Sequence, residues 1–408
     1  MRAVATIDES LFTAPVIEYI TTTLSAYTSA SASGNAASAV SWQAIEQALS
    51  LVYLFGEILV QSQGSVKTGL TPNTYVVMPA NAVPTGKSNR IKLSSEEYAA
   101  MPLSQLGELV QLLVSSQVSG YPHPAAQLIT FECFVRYHHF FNTRPAQIAD
   151  VLPSFLDARG IHHPEEKIRL RVFYHLTRFI KDTRSFIPPT YVQQMVQSMQ
   201  DLLNVNAVLP SAGPDEDVLA KVNDTVSTFD SQLNLFELVG VLITLPGTGA
   251  AAKVAMLQSV TEQQLVELRA QTQAFDAANP DPQVILQVHH LMLALSTLAK
   301  GFDGHDHVKA ATEPEWVKVL KTVTEQIMLS LRTLNRFVII RNAARGAFSR
   351  LVPTMGRLFL PYVPTMIEAL LNEMSVAELA DFIQFICLFV NKFPVRFGSC
   401  VLSPRSGH

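Results

Sequence analysis

Two stretches of this chain, 172 residues apart, carry one pattern. IRLRVFYHLTRF (168–179) set beside IRNAARGAFSRL (340–351) brings Ile168 onto Ile340, Arg169 onto Arg341 and Arg178 onto Arg350. Val172 with Ala344, Leu176 with Phe348 and Phe179 with Leu351 then fall on one helical face. The offset is four steps of about 43 residues, the size of a repeated helix pair. Pro145, Pro188 and Pro361, each at the start of a candidate helix, are 43 and 173 residues apart, one step and about four. A unit of that size has one face too apolar to leave wet, so neighbouring units must stack.

The rest of the chain fits such units. Apolar residues recur at helical spacing, as at Leu106, Leu109, Val110 and Leu113, and period-two strand patterns are scarce. Helix pairs are expected at 7–27 with 41–62, 102–119 with 123–142, and 145–159 with 164–184. Further pairs are 189–204 with 229–245, 249–275 with 281–300, 314–335 with 338–358, and 361–373 with 376–393. Three insertions break the rhythm. Residues 28–39 are Ser/Ala-rich and read as flexible, 64–95 read as a long surface loop, and 205–226 carry the acidic group Asp215, Glu216 and Asp217. None is a domain boundary, because pairs resume beyond each.

The 408 residues exceed one compact core, and 48% hydrophobic with only 16% charged residues suits stacked elements with shared interfaces. VLPSFL (151–156), a short turn, then PEEKIRLRV resemble the HEAT-repeat pattern: a leucine-rich helix with a proline, a turn, and a second helix with an early Val-Arg-type pair. His163 lies near the place of the usual turn aspartate. The expected fold is therefore an all-α HEAT-repeat α-solenoid, a right-handed superhelix of antiparallel helix pairs over 1–393, with an irregular tail at 394–408. Arg169 and Arg341 occupy the HEAT arginine position and are expected to form a structural ladder between repeats.

Function classes narrow by exclusion. Three scattered cysteines make neither a disulfide framework nor a cysteine-rich zinc site, which suits a reducing compartment. No apolar run reaches the roughly 18 residues of a membrane span; LFELVGVLITL is too short and contains Glu237. MRAVATIDESLF lacks the pattern of a signal peptide. No phosphate loop, nucleophile elbow or HExxH is present, so no catalytic residue, metal or cofactor is expected. His138-His139 and His289-His290 are adjacent on helices, so their side chains diverge, and DGHDH (303–307) reads as a polar turn.

The net charge is −4, so any polyanion site must be local. EEKIRLRVFYHLTRFIKDTR (165–184) supplies one. With Lys167 at zero and 100° per residue, Arg171 lies at about 40°, Tyr174 at about 340°, Arg178 at about 20° and Lys181 at about 320°. Ile168, Val172, Leu176 and Phe179 form a separate core stripe. Pro164 suits the first helical position, and Glu165 and Glu166 suit the positive end of the dipole. No acid alternates with the bases, so neighbours repel. A solvated face with Glu166 as partner is one reading; contact with a polyanion, Tyr174 bonding phosphate or stacking on a base, is the other. Arg332, Arg336, Arg345, Arg350 and Arg357 form a second basic group, spread around two helices.

FVRYHHFF, FLDARGIHHPEEKIRLRVFYHLTRFIK, QMVQSMQDLL, ELVGVLI, RNAARGAFSRLVP and FLPYVPTMIEALL together resemble the exportin-T family of karyopherin-β receptors, in order from about Val4 to Phe393. The likeness covers only the central portion of that family, as expected of a fragment. It implies binding of tRNA together with Ran-GTP, Ran contacts largely outside this portion, passage past nucleoporins, and shuttling between nucleus and cytoplasm. It strengthens Lys167, Arg171, Tyr174, Arg178 and Lys181 as RNA contacts and adds Arg345. A HEAT scaffold or karyopherin for protein cargo, its basic stripe meeting an acidic segment, is the alternative.

Overall fold

The computed structural model describes residues 9–32, 39–62, 70–79, 93–211, 213, 216–224, 228–302 and 313–392. The DGHDH turn, the tail at 394–408 and parts of all three insertions lie outside them. Among the described residues the secondary structure is helical, with one isolated antiparallel bridge, Val76 to Leu103. Contacts divide the chain into two compact units, Met1–Tyr191 and Val192–His408.

The first unit contains α1 (Glu9–Ala32), α2 (Trp42–Ser62), α3 (Ser95–Ala100), α4 (Gln105–Ser115), α5 (Pro124–Arg136), α6 (His138–Thr143), α7 (Ile148–Leu156) and α8 (Glu166–Thr183). α9 (Pro189–Ser198) follows. α2, α5 and α8 pack side by side as one layer, with α1 against both α2 and α4. Tyr137 locks α2 to α5. Its buried hydroxyl donates to Val52 O at 2.5 Å and accepts from Gly56 N at 3.2 Å. A Cβ on Gly56 would sit 2.7 Å from the Tyr137 ring, so only glycine allows that approach.

The second unit contains α10 (Thr228–Ile243), α11 (Ala250–Ala274), α12 (Pro282–Leu298), α13 (Glu315–Leu334), α14 (Val338–Met355), α15 (Val363–Leu371) and α16 (Leu379–Lys392). Its two layers are plain: α10, α12, α14 and α16 stack in sequence, as do α11, α13 and α15. α11 meets α12 and α13 meets α14 across the layers. This is the packing of a HEAT-like solenoid. α12 is apolar nearly all round because neighbours flank it on every side. Pro282–Phe302 is long and apolar enough to cross a membrane, although no single apolar run revealed it, and 83% of it is buried against the protein.

The insertions hold more order than their composition suggests. α1 continues through Ala32, with Thr28 Oγ1 donating to Leu24 O at 2.9 Å, so residues 28–32 are helix rather than flexible linker. Within 64–95, Tyr75 is fully buried and edge-on to Tyr137 and Phe140, so that part of the loop packs inward. The segment leading into 205–226 is strapped down by glutamines. Gln287 bonds Val205 O and Ala207 N, Gln283 bonds Ala207 O, and Gln264 bonds Leu203 O. Two helix starts shift from expectation. α8 starts at Glu166, so Pro164 precedes its cap, Glu165, instead of holding the first helical position. Pro361 sits in the 3₁₀ turn Gly356–Tyr362 that precedes α15.

Candidate nucleic-acid interface

α8 buries Ile168, Val172, Phe173, Leu176, Phe179 and Ile180. Phe179 stands edge-on to Phe141 and stacks on Phe155, which fixes the helix's rotation about its axis. The opposite face carries the basic stripe. Lys167, Arg171, Tyr174 and Arg178 are exposed and Lys181 is half-buried. Arg171 and Arg178 each leave 56% of the side chain accessible, and Tyr174, at 49%, has its ring 5.8 Å from the Arg171 guanidinium.

Acids do reach this stripe. Arg171 Nη2 pairs with Glu132 Oε1 of α5 at 3.2 Å, and Arg178 Nε pairs with Asp182 Oδ2, one turn on, at 2.8 Å. Behind each carboxylate lies an imidazole. His175 Nε2 is 3.6 Å from Glu132, and His138 Nδ1 is 3.9 Å from Asp182. Burial, and then the nearby charge of Arg171, pull His175 down to about 4, so it is neutral at neutral pH. Arg136, one turn along α5 from Glu132, repeats the arrangement one helix back. It pairs with Glu57 of α2 at 3.2 Å and lies 4.3 Å from the Tyr53 ring. Glu132, Asp182 and Arg136 did not figure among the candidate site residues. Asp182 was accessible to a helical wheel, at about 60°; Glu132 required knowing how α5 lies against α8.

The HEAT arginines take another path. Arg169 Nη1 donates to His163 O at 2.9 Å, six residues back, and closes the turn before α8. Arg341 Nη1 donates to Asn335 O, also six residues back, at the end of α13. Arg341 goes further. Its guanidinium is 2% exposed and grips Glu378, at 2.9 Å to Oε1 and 2.5 Å to Oε2. Burial alone would raise Glu378, but the bonds from Arg341 and from Ser375 outweigh it and hold the carboxyl at about 2. Arg345, expected to meet RNA, is instead buried. It lies 3.5 Å from Glu378 and 3.8 Å from Asp381 and bonds the Asn342 side chain. Its partner in the 172-residue register is Phe173, a core residue, which is why the position turns inward. Of the remaining basic group, Arg350 bonds Ser296 Oγ at 3.1 Å and Arg336 lies over Phe275 and Phe337.

Among the described residues no group of three His, Cys, Asp or Glu is placed to hold a metal. His289 and His290 are buried, His290 stacked 3.8 Å from the Phe229 ring.

Layered antiparallel helix pairs, with arginines closing the turns inside the pairs, define an α-solenoid of HEAT type. Residues 85–400 match the family model Exportin-T. The chain is 42% identical over 393 residues to Exportin-T of Mycosarcoma maydis, covering 96% of this chain and 35% of that protein. It is 31% identical over 397 residues to Exportin-T of Coprinopsis cinerea (96% and 35%) and 34% identical over 357 residues to that of Laccaria bicolor (86% and 33%). The chain belongs to the Exportin-T family, a family of transport receptors, and spans about a third of the length of these relatives.

Proposed function

We propose that this chain is part of a nuclear export receptor that binds tRNA together with Ran-GTP, and that the exposed face of α8 touches the RNA backbone. The receptor would pass nucleoporins and shuttle between nucleus and cytoplasm, as family membership implies. The observation that carries the RNA reading is the convergence of Lys167, Arg171, Tyr174 and Arg178 on one solvent-facing stripe of a helix whose other face is fully committed to the core. Folded RNA is held mainly through phosphates and 2′-hydroxyls, which calls for guanidinium and ammonium groups on a rigid helix. The role is binding, not catalysis.

The test is a titration of labelled tRNA against a receptor of the relatives' full length that carries this region, with Ran-GTP present, over a series of salt concentrations. Arg171→Glu with Arg178→Glu should weaken binding by at least about tenfold and flatten the salt slope by about 2. Unchanged affinity and slope would make the stripe a solvated face. Displacement of tRNA by an acidic peptide as readily as by heparin would favour the protein-cargo alternative.

A further inference from the structure

We propose that Glu132 and Asp182 are built-in competitors of the RNA: each holds an arginine that a phosphate needs, and each releases it on binding. This rests on the RNA reading of α8. Three observations support it.

The arginine of each pair is open to water, while Asp182 Oδ2 is buried. Arg171 and Arg178 are more than half exposed, and exposed ion pairs stabilise a fold only weakly, so a phosphate can displace either carboxylate. The acids also engage atoms a phosphate would use. Glu132 accepts a hydrogen bond from a terminal nitrogen of Arg171, and Asp182 Oδ2 stands 2.8 Å from Nε of Arg178 as an ion pair, so each acid covers an edge of its guanidinium.

Glu132, finally, has somewhere to go. Glu132 Oε1 lies 3.6 Å from His175 Nε2, and neither ring nitrogen of this buried histidine has a hydrogen-bond partner. A small turn of the Glu132 side chain completes that bond as Arg171 swings out. Asp182 has His138 Nδ1 at 3.9 Å, but that nitrogen already bonds Val135 O at 3.1 Å, so Asp182 gives up Arg178 without a ready second partner. At Glu132 the exchange moves the carboxylate from a guanidinium to a neutral imidazole, where it keeps a hydrogen-bond donor. It contrasts with Arg341 and Glu378, whose side chains are 2% and 7% exposed.

Competition of this kind raises the threshold for binding. A polyanion that reaches only one arginine must break an ion pair for a single contact. A rigid backbone that reaches both, with Lys167 alongside, regains more than it breaks.

The experiment is the tRNA titration above, run with Glu132→Gln and Asp182→Asn beside the wild type and the double arginine reversal. Each amide keeps the shape of the side chain and removes its charge. Each should tighten tRNA binding about two- to five-fold, and the pair together by about the product. Amides that leave affinity unchanged, or weaken it, overturn the competitor proposal while the arginine reversals still report on the RNA reading. In the weakening case the acids orient the arginines instead. Arginine reversals without effect would remove the RNA reading and this proposal with it. A urea midpoint for each variant separates changes in binding from changes in fold.

Discussion

α8 and α14 are the same helix built twice and used differently. Both follow a turn that an arginine closes by donating to a carbonyl six residues back, Arg169 to His163 and Arg341 to Asn335. Both bury an aliphatic and aromatic stripe in the same register. They part on the outer face. Where α8 has Lys167, Arg171 and Tyr174 in solvent, α14 has Ile339, Ala343 and Gly346, the first two buried. Where α8 has Phe173 in its core, α14 has Arg345, drawn in by Glu378. Positive charge on a helix therefore says little about a partner until its register is known. In α14 it is internal and fixes one repeat to the next. In α8 it is external, held by pairs that can exchange.

The largest effect that would test this contrast comes from removing the internal arginine. Arg341→Ala leaves Glu378 buried without its main partner, and should destabilise by about 3–5 kcal/mol. Arg169→Ala, which costs one half-exposed bond to a carbonyl, should cost only about 1 kcal/mol. Urea or thermal unfolding checks both. Equal effects would mean that Arg341 does no more than close its turn.

Acid should separate His175 from Glu378 along the pH axis. His175 is held at about 4 against an ordinary 6.5, so the unfolded chain binds the extra proton first. Stability from its burial is fully present above about 6.5 and is lost as pH falls towards 4, at roughly 1.4 kcal/mol for each unit of displacement. Glu378 is held at about 2 against 4.5, so its contribution is present above about 4.5 and disappears only as pH falls towards 2. Trp42 lies in the first unit and Trp316 in the second, so single-tryptophan variants can follow each region by fluorescence. His175→Gln should flatten the upper step seen through Trp42. An unchanged step would assign it to other groups, and His289 and His290, pulled down to about 3 and about 4 mainly by burial, should produce the step seen through Trp316.

Arg345→Glu sharpens the contrast in another way. It places a third acid beside Glu378 and Asp381 and should cost about 2 kcal/mol or more of stability. Arg171→Glu, in solvent, should change stability by less than about 1 kcal/mol and act on tRNA affinity instead. If Arg345→Glu proved stable and impaired RNA binding, Arg345 would belong with the α8 stripe after all.

Much of this fold was legible because helical period and repeat register are local properties. The helical class follows from apolar spacing and punctuation by Pro and Gly, and the 172-residue match alone places Arg169 and Arg341 in equivalent turns. The buried part of the 64–95 insertion was hidden, because Tyr75 becomes a core residue only once Tyr137 and Phe140 surround it. The electrostatics of the site were half legible. The stripe could be drawn on a wheel, but Glu132 belongs to another repeat and reaches Arg171 through tertiary packing. Arg345 differs for another reason: its basic character points to solvent, while its register partner, Phe173, points to the core.

The smallest effect bears on what Tyr174 contributes beside Arg171. Its ring and its hydroxyl can be separated. Tyr174→Phe keeps the aromatic face 5.8 Å from the guanidinium and removes only the hydroxyl, so a direct bond to phosphate should cost about 0.5–1.5 kcal/mol of tRNA affinity. Tyr174→Leu removes the face as well. If Phe binds as tightly as Tyr while Leu is weaker, the residue acts by stacking, on a base or on the guanidinium released from Glu132. If both variants are equally weak, the hydroxyl accounts for the contact. If neither differs from wild type, the RNA passes over the arginines alone, and the exposed aromatic marks the edge of the interface, not its centre.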